Sequence, residues 1–157
     1  MDWMGWAVFG LGATLALTAI MVVAQLTGVT RMGIPMVLGT MFLEDPDRAR
    51  ALGVALHVVA GYVFALIYVA AFAVLDAATW WLGALFGAFH GFVALALLLP
   101  LTPGFHPHMA SERTGRLGSA LEPPGFFGLN YGTQTPVVGM LAHIVYGMIL
   151  GIFITPV

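Results

Sequence analysis

The sequence predicts an all-α membrane protein, a polytopic bundle of four helices that each cross the bilayer. Apolar residues make up 61% of the 157 residues and charged residues only 8%, a composition outside the range of soluble domains. Charges are nearly absent from four stretches of about 20 residues or more, the length that a helix needs to cross the hydrocarbon core. A chain of this length is expected to form a single membrane domain, residues 1–157.

Tryptophans, prolines and charges indicate where the helices begin and end. Trp3 and Trp6 are typical interfacial anchors at the start of the first helix, and Asp47 is a candidate N-cap of the second. The four-residue connection 76–79 makes the second and third helices antiparallel neighbours. The predicted helices span about residues 3–27, 49–75, 80–101 and 136–154, with loops at 28–48 and 102–135.

The arginines predict how the bundle is oriented. All five basic residues lie in the first and third loops, namely Arg31, Arg48, Arg50, Arg113 and Arg116. The positive-inside rule therefore places both long loops in the cytoplasm and both chain ends outside. Within the first loop, the apolar run Met32–Phe42 is broken by glycine and proline. It is too short to span, so we expect it to lie at the membrane interface.

Two of the predicted helices carry a histidine in the same sequence frame. His57 and His143 are each followed by two aliphatic residues, and then by a glycine four positions after the histidine. The two halves of the chain also share a tryptophan-led helix and a glycine-threonine turn late in the loop. This pattern predicts two duplicated helical hairpins related by a pseudo-two-fold axis along the membrane normal.

Three histidines are predicted to lie at similar depth in the cytoplasmic half of the membrane. At about 1.5 Å per residue, His57 lies ~9 Å, His143 ~12 Å and His90 ~14–17 Å from the cytoplasmic ends of their helices. Ionisable groups at such depth normally face a partner or a cavity, and imidazole nitrogens ligate metal ions and tetrapyrrole metals. The alternative is that each histidine forms a hydrogen bond between helices.

His106 and His108 flank a proline at the start of the third loop, on the same side of the membrane. This spacing resembles a two-ligand chelate, so the predicted metal ligands are His57, His90, His143, His106 and His108. A surface loop of this kind also commonly carries histidines without a metal.

The absence of cysteine excludes thiolate chemistry, and the net charge of −2 without a basic run argues against nucleic acid as a partner. Familiar hydrolase, kinase and phosphate-loop motifs are also absent.

Four segments carry a resemblance to a known family: ALHVVAGYVFALIY, LGALFGAFHGFVALALLLPLTPGFHPHM, PPGFFGLNYGTQTP and LAHIVYGMILGIF. Together they resemble a group of bacterial four-helix membrane proteins of unknown function. The resemblance covers most of the chain from Gly33 onward and rests on the histidines, Asn130 and the surrounding glycines. It implies a multi-pass protein of the bacterial cytoplasmic membrane and brings no activity with it.

The sequence therefore favours an intramembrane site, lined by His57, His90 and His143, for a metal ion or a haem-like tetrapyrrole. Opposed histidines on the second and fourth helices suit a bis-histidine haem, whereas a third nitrogen suits a metal ion. The expected role is electron transfer or metal handling, and whether the protein is an enzyme stays open. The alternative is a non-catalytic subunit of a larger respiratory or photosynthetic complex. The predicted partners are the bilayer and either another membrane protein or a second copy.

Overall fold

A computed structural model describes residues 2–110 and 121–156. The described chain forms α1 (Trp3–Leu26), α2 (Ile34–Gly39), α3 (Pro46–Leu75), α4 (Trp80–Gly104) and α5 (Thr135–Phe153). The four longer helices have the length and hydropathy needed to cross a membrane, which confirms the prediction of an all-helical, multi-pass protein. Predictions that fall on residues 111–120, including Arg113 and Arg116, lie outside the described residues.

The helix ends lie within three residues of the predicted ones. Asp45, not Asp47, caps α3, because its side chain accepts a hydrogen bond of 2.9 Å from the amide of Arg48. Pro46 then takes the first helical position, where its missing amide costs nothing. α4 continues through Pro100 to Gly104 by widening into a π-helical turn at Ala94–Leu98. Such a turn accommodates the hydrogen bond that proline cannot donate.

Among the four long helices, the closest packing is between α4 and α5. Gly83, Gly87 and Gly91 face Gly147, Gly151 and the backbone around His143. A Cβ atom on Gly87 would overlap the carbonyl oxygen of His143, so the two backbones approach as closely as glycine allows. This contact sets the positions of both histidines carried by these helices.

α1 packs against both α3 and α5, and the residue before it contacts the segment that follows α5. The Trp6 indole donates to the carbonyl of Tyr62 at 2.9 Å, and the Tyr62 hydroxyl donates to the carbonyl of Ala7 at 2.8 Å. At the start of α1, the Asp2 carboxylate accepts hydrogen bonds from the amide and hydroxyl of Thr155 at 3.1 and 2.8 Å. Both chain ends therefore lie at the same end of the bundle, opposite the loops that carry the arginines.

The short helix α2 folds back against the first turns of α3. Gly39 packs on the backbone of Ala49, and Gly53 packs on the backbone of Pro35. The predicted non-spanning segment is thus partly helical, and it lies at the end of the bundle where α3 begins.

Neighbouring helices α3 and α4 are in contact near the connection that joins them and separate farther along. Near that connection, Phe86 of α4 contacts Tyr68 and Phe72, with ring centroids 5.9 and 5.7 Å apart. Toward the loops that carry the arginines the two helices diverge, and the space between them is a cavity.

Candidate functional site

The cavity occupies the half of the bundle nearest the arginine-bearing loops and has a volume of about 410 Å³. α1, α3, α4 and α5 form its walls, and α2 contributes Ile34, Val37 and Leu38 at one end. Its lining is mainly aliphatic and aromatic, with few polar groups and none of the charged side chains of the described residues. A cavity of this size and composition is typical of a small-molecule site.

His57, His90 and His143 all line this cavity. Each comes from a different helix, α3, α4 or α5, so the bundle brings together three residues that are far apart in sequence. His90 and His143 are direct neighbours, with ring centroids 4.7 Å apart in an edge-to-face arrangement. His57 lies on the opposing α3 wall.

The Nδ1 atom of His57 is tied to α1 by a hydrogen bond. The Thr18 hydroxyl donates its hydrogen to the carbonyl of Thr14 at 2.7 Å, so it can only accept from His57. The Nδ1–H of His57 therefore donates to Thr18 at 3.2 Å. A neutral imidazole with its proton on Nδ1 carries a free lone pair on Nε2.

His143 has the same protonation pattern for a different reason. Its Nδ1 lies 2.7 Å from the carbonyl oxygen of Gly139, one turn earlier in α5. A carbonyl can only accept, so Nδ1 carries the proton and Nε2 carries the lone pair.

His90 has the opposite pattern. The Tyr68 hydroxyl, on a side chain that is only 4% exposed, lies 3.4 Å from the Nδ1 atom of His90. A buried hydroxyl needs an acceptor for its hydrogen, and Nδ1 is the acceptor that the described structure gives it. The proton of His90 is then on Nε2. The Phe64 ring stacks on this imidazole with centroids 4.0 Å apart and holds its orientation.

The Nε2 atoms of His57, His90 and His143 open onto the cavity. Within the described residues, every fully buried side-chain nitrogen or oxygen has a hydrogen-bond partner. These three Nε2 atoms have none among the described contacts, so they are accessible, and the cavity is the space that their side chains line. The site thus presents two imidazole acceptors and one imidazole donor.

His106 and His108 lie outside the cavity lining, and both bind α2. His106 is fully buried, and its Nε2 donates to the carbonyl of Val37 at 2.9 Å. Its Nδ1 accepts from the amide of His108 at 3.1 Å. The Nδ1 of His108 donates to the carbonyl of Thr40, and its Nε2 lies 3.4 Å from the Glu44 carboxylate. In this arrangement both rings fasten the loop after α4 to α2.

The five histidines predicted as metal ligands therefore fall into two separate groups. Among residues 2–110 and 121–156, no three histidine, aspartate or glutamate side chains are grouped so that they could hold a metal ion. Metal binding by these histidines stays a prediction.

Sequence reasoning missed the partners that orient the imidazoles. Thr18, Phe64 and Tyr68 lie on the faces of α1 and α3 that meet the cavity or its histidines. Thr18 lies four residues after Thr14 on one face of α1, which is a detectable signal for a polar stripe on that helix. Tyr68 carried no signal, because its pairing with His90 depends on how α3 and α4 cross.

Comparison with known proteins yields no relative. No family model, no curated protein and no solved structure matches this chain.

Proposed function

We propose that this membrane protein binds a small, uncharged, membrane-soluble molecule in the cavity between α3 and α4. The observation that carries the proposal is the cavity itself, about 410 Å³ of mainly apolar space with three imidazole nitrogens open to it. Ligand sites typically combine apolar walls with a few polar groups that fix orientation. An unfilled cavity of this size would destabilise the bundle, because the side chains around it lose packing contacts. A bound molecule would restore those contacts.

The wall formed by α4 supports entry from the lipid phase. Leu98 and Leu101 line the cavity and are 49% and 58% exposed. Phe105 combines the same two properties. A molecule dissolved in the bilayer would thus enter the cavity past these exposed side chains.

Filling the cavity tests the proposal. Ala60 lines the cavity, whereas Val63 lies on the same helix and is 56% exposed. We expect organic extracts of the purified wild-type protein and of Val63→Phe to contain the same small molecule in stoichiometric amount. Ala60→Phe should lose it while retaining the wild-type helix content. Equal trace amounts in all three proteins would contradict the proposal.

A haem-like tetrapyrrole bound for electron transfer is a second candidate, and the tautomers of His57 and His143 support it. A histidine that ligates a metal usually donates its other ring N–H to a fixed acceptor, as these two do toward Thr18 and Gly139. A tetrapyrrole metal takes one or two axial ligands, and His57 and His143 could supply both. A bare ion needs more ligands than the described residues group together.

A visible spectrum and an elemental analysis distinguish this candidate. A Soret band or stoichiometric metal in the wild type should be lost in His57→Ala and in His143→Ala. His108→Ala is the matched control, because that histidine lies outside the cavity lining. A colourless, metal-free wild-type protein would eliminate the tetrapyrrole and the metal ion.

We also propose that the arginine-bearing loops face the cytoplasm of a bacterial cell and that both chain ends lie outside. The distribution of arginine supports this orientation.

The predicted duplication of the two hairpins is supported by α3 and α5, which both start at the arginine-bearing end of the bundle and place His57 and His143 in the lining of one cavity. Against it, α4 packs far more closely on α5 than α1 does on α3. The bacterial family and a partner subunit or second copy remain predictions.

A further inference from the structure

We propose that the molecule bound in the cavity carries a hydroxyl group on an aromatic ring, as in a phenol or a hydroquinone, and that this hydroxyl lies between His90 and His143. The inference rests on the proposed function and identifies the chemical class of its ligand. It follows from the absence of charge in the lining, the proton positions on two imidazoles and the aromatic side chains around them.

The lining of the cavity favours an uncharged ligand. The residues that line it include no aspartate, glutamate, lysine or arginine. An ion transferred into such a space would lose its hydration without gaining a counter-ion, which is strongly unfavourable. Carboxylic acids, phosphates and ammonium compounds are therefore poor ligands for this cavity.

His90 and His143 have complementary hydrogen-bonding roles. The Nδ1 of His143 is committed to the carbonyl of Gly139, so its Nε2 accepts. The Nδ1 of His90 receives the Tyr68 hydroxyl, so its Nε2–H donates. The two rings meet edge to face with centroids 4.7 Å apart. One group that both donates and accepts satisfies this pair, and a hydroxyl does so with a single oxygen.

Ethers, esters and ketones meet this requirement less well. Each can accept from His90 but leaves the Nε2 lone pair of His143 without a donor. A buried acceptor left without a donor costs free energy in an apolar site. The pair therefore discriminates between a hydroxyl and its methyl ether, which differ in little else.

The surroundings of the pair favour an aromatic ring over an aliphatic chain next to the hydroxyl. Phe64 stacks on His90 at 4.0 Å, and Tyr146 lies edge to face with His90 at 5.9 Å. Both aromatic residues also line the cavity, and aromatic rings pack favourably in such offset and edge-to-face arrangements. His57 offers a second acceptor on the α3 wall, which suits the second hydroxyl of a hydroquinone.

The test compares two ligands that differ only in whether the ring oxygen carries a hydrogen or a methyl group. The full-length protein in mild detergent is titrated with para-octylphenol and with para-octylanisole by calorimetry, against detergent blanks. A hydrogen bond in an apolar site contributes enough for the phenol to bind about 3- to 10-fold more tightly than the ether. In His143→Phe we expect this ratio to fall to about one, with binding of the ether retained. In His90→Phe both compounds should bind more weakly while the ratio stays near the wild-type value, because both accept from His90 and only the phenol donates to His143.

His108→Gln is the matched control, because His108 lies outside the cavity lining, and it should keep the wild-type ratio. Equal binding of the phenol and the ether by the wild type would overturn the hydroxyl assignment while leaving the proposed function standing. Failure of both compounds to bind the wild type, together with extracts that contain no stoichiometric molecule, would overturn both. The wild-type comparison does not depend on whether the histidine variants fold.

Discussion

His90 and His143 face each other across the closest contact between the four long helices, with ring centroids 4.7 Å apart. The arrangement depends on glycine. A Cβ atom on Gly91 would lie 3.0 Å from the Cβ of His143, and one on Gly87 would overlap the backbone of α5. Larger residues at these positions would separate α4 from α5 and with them the two imidazoles.

Gly87→Val should therefore destabilise the protein. Its side chain would meet the backbone of α5, which cannot move aside as a flexible side chain can, so we expect a loss of about 1–3 kcal/mol in the free energy of unfolding. Gly12→Val is the matched control, because nothing lies within 4 Å of a Cβ at Gly12. It should change stability by no more than about 0.5 kcal/mol. Equal free energies of unfolding for the two variants in detergent would contradict this account of the α4–α5 contact.

We predict that ionisation of the Tyr131 hydroxyl destabilises the protein at high pH. Burial, and next the charge of Glu122, raise its pKa to about 12, against the opposing effect of Arg31. Since the unfolded value is about 10, the folded state holds the phenolic proton more tightly. The stabilisation is complete below about pH 10 and is lost as the pH rises toward 12.

A comparison of the wild type with Tyr131→Phe tests this prediction. The variant lacks the hydrogen bond of 2.6 Å from the Tyr131 hydroxyl to the carbonyl of Glu122, so it should be less stable by about 1 kcal/mol at neutral pH. Because phenylalanine does not ionise, this difference should shrink as the pH rises above about 10. Thermal unfolding of both proteins over a pH series measures this stability difference. A difference that stays constant with pH would show that Tyr131 does not cause the loss of stability at high pH.

The orientation of the bundle is testable because the native chain has no cysteine. Asp47, at the arginine-bearing end, and Thr155, at the end that holds both termini, are both exposed positions. In intact bacterial cells, a membrane-impermeant maleimide should label Thr155→Cys at once and Asp47→Cys only after permeabilisation. The reverse pattern would place the arginine-bearing loops outside.

Much of this architecture could be predicted from local sequence. The hydrocarbon core imposes a minimum length on any spanning helix, so hydropathy alone located the four helices to within about three residues. The positions of His57, His90 and His143 along their helices were also predictable, because each residue advances a fixed distance along a helix axis. The α2 segment was recognised as non-spanning for the converse reason, its short length.

The contents of the site depended on the tertiary structure. The cavity exists because α4 packs on α5 and diverges from α3, and this choice depends on how helix surfaces fit, which hydropathy does not encode. Which nitrogen of each imidazole carries the proton was decided by partners on other helices, Thr18 for His57 and Tyr68 for His90, and by the local carbonyl of Gly139 for His143. His106 and His108 resembled a chelate in sequence, but their nitrogens bind α2 and the loop itself because the fold brings those groups within hydrogen-bonding distance. The sequence by itself determined where along its helix each histidine lies, because rise per residue is fixed, whereas only the tertiary structure decided what each one faces.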